Sequence, residues 1–287
     1  MEYKTLKEEK ILDYLVNNIN DMTKKKAKNL LKYKEISVNQ KTITNANYML
    51  KKGDMIAIVK NRLKNDFEII YEDHNIIVVN KKAGLLTIST EKEKINTLYH
   101  KVSQYVKSKN KNNNIFIIHR LDRDTSGVVM FAKSEKIKKL YQNNWNNFVI
   151  GRYYVAIVEG VLEKKRGIIN SKLKENKEGY VYCSKDGKEA ITEYEVIKEN
   201  KLYSLLKINI KTGRKNQIRV HMKSINHPIV GDKKYGSKKK EKRLYLHASI
   251  LELKNPITGK IEKYSSKIPE QFNIKINDKS LIKYVIF

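Results

Sequence analysis

The chain has 287 residues, 40% of them apolar, enough for one large domain and a small one. Sixty lysines and arginines stand against 31 aspartates and glutamates, and a formal net charge of +29 exceeds what solubility requires. It points to a polyanionic partner, nucleic acid before an anionic membrane surface. The start, MEYKTLKEEK, has no apolar signal core, and no apolar run approaches the roughly 18 residues of a membrane span, so the sequence reads as a soluble cytoplasmic protein. The single cysteine, Cys183 in GYVYCSKDG, excludes an intrachain disulfide and a multi-cysteine zinc site and reads as a packing residue.

The first sixty residues read as a separate unit. In EEKILDYLVNNI, the residues Ile11, Leu12, Leu15, Val16 and Ile19 fall at helical spacing. In TKKKAKNLLKY, Thr23 is placed to cap a second helix with Ala27, Leu30 and Leu31 along one side. Lys24, Lys25, Lys26, Lys28 and Lys32 occupy its other faces, which suits either contact with a phosphate backbone or plain solvation. A short strand ISVNQ, a turn and GDMIAIV complete the unit, and KNRLKND, Lys60 to Asp66, reads as a linker.

From residue 67 onward, short strand-like runs alternate with polar turns: FEIIYED, NIIVVN, IFIIH, GVVMFA, YYVAIVEG and SLLKINI. Helical stretches are few, near Thr97 to Lys107 and Ile137 to Asn146. The class is therefore α+β: a mixed, mainly antiparallel sheet with peripheral helices, preceded by a small α/β unit. EKKRGIINSKLKENKEG and SKKKEK read as exposed basic loops.

The stretch IFIIHRLDRDTSGVVMFAKS, Ile115 to Ser134, sets a knot of charge between two oily runs read as buried strands, Ile115 to Ile118 and Val128 to Ala132. A calcium loop fails here, because Asp122, Asp124, Ser126 and Gly127 fit its first half but the twelfth position is Lys133. There is no H-E-x-x-H, phosphate-binding glycine loop or G-x-S-x-G. Only eight arginines occur, yet Arg120 and Arg123 lie in this turn, Arg214 and Arg219 in TGRKNQIRVH and Arg152 in GRYYVAIVEG. That placement favours the planar fork of guanidinium over a point charge. An aspartate held by arginine is expected to have a lowered pKa and to stay a carboxylate, which suits a nucleophile; a salt-bridged turn would explain the same residues.

HRLDRDTSG, His119 to Gly127, resembles the signature of the RluA family of pseudouridine synthases. IIYEDHNIIVVNKKAGLL, RYYVAIVEG, GKEAITEY, TGRKNQIRVHM, HPIVGDKKYG and LYLHASILEL are similar to further elements of that family, in its order and over nearly the whole chain. Roughly residues 10 to 60 resemble an RNA-binding domain of the S-four type, named for a small-subunit ribosomal protein. The two resemblances imply an RNA-binding domain over 1–60, a linker over 61–66 and a catalytic domain over 67–287. They imply an isomerase that breaks the bond from ribose to a ring nitrogen of uracil and rejoins a ring carbon to the same sugar. Neither metal nor organic cofactor, membrane nor protein partner is implied. Large-subunit ribosomal RNA is the leading substrate, with transfer RNA open.

By the same resemblance Asp122 is the catalytic carboxylate, attacking the sugar or assisting departure of uracil. Tyr154 stacks on the base and helps remove its proton, and Arg219 pairs with the carboxylate. Arg120 helps to extrude the nucleotide, Arg123 and Arg214 are structural or phosphate-contacting, and His119 is a structural hydrogen-bonding residue. Leu121 and Ile218 pack near the pocket, and Lys24, Lys25 and Lys28 contact RNA. Three departures from the family pattern, at Lys82, Asn216 and Asn255, are expected not to touch the residues of the chemistry. A non-catalytic RNA-binding or ribosome-assembly factor on the same fold, and a glycosylase releasing free uracil, are the alternatives.

Overall fold

A computed structural model describes residues 2–32, 35–58, 67–91, 93–238 and 241–276. It divides into two compact units, Met1–Lys64 and Asn65–Phe287. The segment expected to be a linker, 61–66, lies outside the described residues.

In the first unit, the helices Ile11–Asn18 and Lys24–Lys32 pack beside a sheet whose strands run in the order Glu2–Lys4, Met55–Ile58, Ile36–Val38, Lys41–Thr42. Ile11, Leu15, Ala27, Leu31, Ile36, Leu50 and Ile56 form its core. The Thr23 hydroxyl accepts from the Lys26 N–H at 3.2 Å and so caps the second helix. Ala27 and Leu31, four apart, face inward, leaving Lys24, Lys25 and Lys28 exposed.

The second unit is built on an eleven-stranded sheet among the described residues. From one edge the order is Val181–Cys183, Arg166–Glu175, Lys188–Glu199, Tyr203–Ile210, Val149–Glu159, Leu246–Lys254, Ser126–Ala132, Ile76–Lys81, Glu68–Glu72. Phe116–Ile117 adds to Ser126–Ala132, and Ile261–Ser265 to Leu246–Lys254. Helices flank the sheet, the longest being Leu98–Lys109, capped by Thr97. The α+β class expected from the sequence is the class of the structure.

All neighbouring strands are antiparallel except Ser126–Ala132 and Leu246–Lys254, which run parallel where Ser126 meets His247 and Gly127 meets Ala248. Every residue of Ser126–Ala132 is buried, consistent with its unbroken apolar run in the middle of a covered sheet.

Several expectations are corrected. EKKRGIINSKLKENKEG is not a loop: Arg166–Glu175 is a ten-residue strand, paired with Lys188–Glu199 over Arg166–Leu173 and with Val181–Cys183 at its end. Ile115 to Ile118 yields only the two-residue strand Phe116–Ile117. Cys183 is exposed rather than packed, because the short edge strand that carries it buries only Val181. The sequence also hid two helices, Gln217–Ser224 and Glu270–Ile276. No helix among the described residues is long and apolar enough to cross a membrane.

Gly127 sits where the two parallel strands approach closely. Its φ of +121° is hostile to L side chains, and a Cβ there would lie 2.0 Å from the carbonyl oxygen of Ala248. Gly127→Ala must therefore break the parallel contact or bend the strand, and is expected to cost at least about 3 kcal/mol of unfolding free energy in urea titration.

Candidate active site

Asp122 lies in the loop between Phe116–Ile117 and Ser126–Ala132, and buried groups hold that loop from below. The Thr87 hydroxyl donates to the Leu121 carbonyl at 2.7 Å and accepts from the Leu121 N–H at 3.2 Å. On the far side of Asp122, the Arg123 carbonyl accepts from the Gly84 N–H at 2.9 Å and from Lys81 Nζ at 2.8 Å. Lys81 is fully buried, and its Nζ also donates to the carbonyls of Lys82 and Leu85. Burial pushes the Lys81 amine down to about 7, while the carboxylates of Asp124 and Asp122 oppose that shift. Gly84, at φ +85°, closes the turn that delivers these contacts.

Above the loop is a cavity of about 450 Å³, within the usual range of small-molecule sites. Arg120, Leu121, Asp122, Tyr154, Arg214, Ile218 and Arg219 all line it. Tyr154 belongs to the Val149–Glu159 strand, two residues after Arg152, so the two share a face. Burial lifts the Tyr154 phenol to about 12, so it is protonated at neutral pH; the Arg152 charge opposes that rise. Arg123 lines a neighbouring cleft of about 430 Å³ rather than this cavity, with Lys215, Lys233, Lys234 and Lys242. Lys24, Lys25 and Lys28 belong to the other unit.

Arg219 is carried by the Gln217–Ser224 helix, which the Gln217 side chain pins to the sheet through the Ile191 carbonyl and the Thr192 hydroxyl. The guanidinium fork does not close on Asp122. Its Nε and Nη2 each donate to Asp232 at 2.7 Å, whereas Nη1 is 3.9 Å from Asp122. Asp232 is fully buried and also accepts the N–H groups of Lys234 and Tyr235 on Oδ1. The expectation that arginine lowers the Asp122 pKa is overturned: burial is the larger effect and raises it, with Arg219, Arg120, Lys81 and Lys215 pulling the other way. The physical reason is that the best donors of Arg219 are already committed to a second aspartate.

The expectation that the departures stay clear of the chemistry fails at Asn216. Its Oδ1 accepts from Arg219 Nη1 at 3.1 Å and its Nδ2 donates to the Tyr235 hydroxyl at 3.0 Å, so it helps to fix the arginine. Asn216 holds φ +54° at the helix entrance, a conformation Asn tolerates well. Asn255 lies elsewhere, its Oδ1 accepting from the Ile257 and Thr258 N–H groups in a turn. His119 Nε2 accepts the Met130 N–H at 3.0 Å, and its ring meets Trp145 at 5.3 Å. Burial pushes it down to about 4, so the imidazole is neutral. Sequence reasoning gave no part to Asp232, Thr87 or Trp145; Asp232 sits in the quoted HPIVGDKKYG, but nothing local ties it to Arg219.

Residues 75–224 match the family described as RNA pseudouridylate synthase. The chain is 31% identical to an uncharacterized RNA pseudouridine synthase of Mycoplasma genitalium over 95% of this chain and 93% of that protein. It is 35% identical to the ribosomal large subunit pseudouridine synthase D of Borreliella burgdorferi over 73% of this chain and 68% of that protein. Among solved structures, the human RNA pseudouridylate synthase domain containing 4 shares the fold, with a TM-score of 0.60 at 23% identity, covering 71% of this chain and 90% of that one.

Asp232→Asn leaves the Arg219 charge buried without its principal partner. It is expected to destabilise the protein by about 3–5 kcal/mol, read from urea titration, more than removing an exposed ion pair such as Arg166 with Glu195 would.

Proposed function

The chain belongs to the RNA pseudouridylate synthase family and is an RNA pseudouridine synthase, an isomerase; on that premise we propose that it acts in the cytoplasm on uridines of large-subunit ribosomal RNA, with Asp122 as the reacting carboxylate. The observation that carries the assignment of Asp122 is its position: a side chain one quarter exposed, lining a cavity shared with Tyr154 and Arg219.

The chemistry follows from that arrangement. Burial leaves the Asp122 carboxylate poorly solvated and so more basic and more nucleophilic than an exposed aspartate, while Arg219 at 3.9 Å supports its charge without a tight pair. The carboxylate acts at the sugar as the bond to the uracil nitrogen breaks. The detached base turns within the cavity and a ring carbon rejoins the sugar, the proton on that carbon being lost and one being taken up on nitrogen. Tyr154, protonated at rest, presents a ring on which the base stacks and keeps it from diffusing away. A uridine reaches the cavity only by leaving its stack, and Arg120, exposed at the cavity wall, stands where a side chain can fill the gap.

Large-subunit ribosomal RNA is favoured by two relatives that are ribosomal large subunit pseudouridine synthases D, the one from Borreliella burgdorferi and a 32% identical one from Buchnera aphidicola. The first unit, as a domain of the S-four type, would grip structured RNA through the exposed Lys24, Lys25 and Lys28. Mapping pseudouridine in ribosomal RNA from cells with and without the protein, and restoring missing sites with purified enzyme, tests the substrate; unchanged maps refute it.

Asp122→Asn is expected to lower pseudouridine formation at least about a thousandfold while RNA affinity changes little. Because the folded pKa of Asp122 is raised above 3.8, kcat/KM should fall through an acid limb above that value as the carboxylate takes up a proton. Replacing Lys24, Lys25 and Lys28 with Gln should leave kcat unchanged and reduce the slope of log affinity against log salt by about 2 to 3, as for the loss of three phosphate contacts.

A further inference from the structure

We propose that Arg152 and Arg214 form an anion seat in the wall of the Asp122 cavity, which takes a phosphodiester group next to the extruded uridine. The inference rests on the reading that this cavity receives a uridine of RNA, and adds the part of the nucleotide that the Asp122 side does not address.

Both guanidinium groups are anchored by backbone oxygens. Arg152 Nη2 donates to the Lys211 carbonyl at 2.8 Å, and Arg214 Nε donates to the Glu189 carbonyl at 2.8 Å. Carbonyl dipoles orient such groups without neutralising them. Among the described residues neither meets a carboxylate, whereas Arg123, Arg166 and Arg219 each do. Arg152 Nε is buried and has no hydrogen-bond partner at all. An unused buried donor on a charged group is costly and calls for an acceptor.

The surroundings point the same way. Burial, and the like charge of Arg214, both lower the pKa of Arg152, so the pair is held at an electrostatic cost that an anion would relieve. Gly213 makes room for it: a Cβ at that position would lie 2.6 Å from Arg152 Nη1. In a chain that uses lysine for nearly all of its positive charge, two arginines at one wall supply planar, forked donors suited to phosphate oxygens. Uracil and ribose are neutral, so the anionic part of the substrate is its phosphodiester backbone.

The protein contains one tryptophan, Trp145, and it lines this cavity, so its fluorescence reports occupancy. The full-length protein is titrated with uridine, uridine 5′-monophosphate, uridine 3′-monophosphate and inorganic phosphate. At least one monophosphate is expected to bind about tenfold more tightly than uridine, and Arg152→Gln to abolish that preference while uridine binding stays within about twofold of wild type. Gly213→Ala should mimic it by displacing the guanidinium, and Arg152→Lys should restore part of the preference. Which monophosphate is preferred distinguishes the phosphate before the uridine from the one after it. The proposal is overturned if wild-type protein binds uridine and both monophosphates alike, if none of them changes the fluorescence, or if Arg152→Gln and Gly213→Ala keep the preference. Pseudouridine formation by the same preparation separates the two readings: lost preference in wild type with activity intact refutes the anion seat alone.

Discussion

One guanidinium stands between two carboxylates, and the site depends on how it is divided. Arg219 gives its matched pair of donors to Asp232, which is sealed from solvent and held further by two backbone N–H groups. Only the edge of Nη1 faces Asp122. A full fork on Asp122 would have stabilised its charge and, in the reaction proposed for it, dulled it as a nucleophile. The arrangement instead fixes a positive charge in place and leaves desolvation to raise the pKa of the Asp122 carboxylate.

Buried basic groups in the second unit fall into two kinds. Lys81 and Arg219 are satisfied within the protein, the first by three carbonyl oxygens and the second by aspartate and asparagine, and both act as struts for the loop and the helix that frame the cavity. Arg152 is of the other kind: oriented by a carbonyl oxygen and left with donor capacity to spare. The lysines that supply most of the net charge are largely exposed and work through long-range attraction that salt screens.

The sequence disclosed elements whose pattern is local and concealed those whose logic is tertiary. Ser126–Ala132 is legible because a fully buried strand is an uninterrupted apolar run. Arg166–Glu175 was hidden because its exposure alternates with few apolar side chains, and pairing with Lys188–Glu199 overrides the poor strand propensity of Lys and Asn. Gln217–Ser224 was hidden for the opposite reason: Gln217 through Met222 are all buried, so no polar face marks a helical period. Arg219 could be named from a motif, but its partner could not, since nothing in VGDKKYG announces that Asp232 is the aspartate the fork prefers. The pKa of Asp122 was misjudged because charge neighbours are visible in sequence and desolvation is not.

The parallel pairing of Ser126–Ala132 with Leu246–Lys254 has a further meaning for how the enzyme comes into being. Ser126 and His247, joined through Oγ and Nδ1 at 2.9 Å, are 121 residues apart, and the strand that follows the Asp122 loop finds this neighbour only after the other long strands of the sheet between them have been made. Pairing at such separation carries a large loop-closure entropy and forms late. A nascent chain on the ribosome therefore carries the signature residues long before it can assemble their support. Support for the Asp122 loop waits on a strand made 121 residues after Ser126.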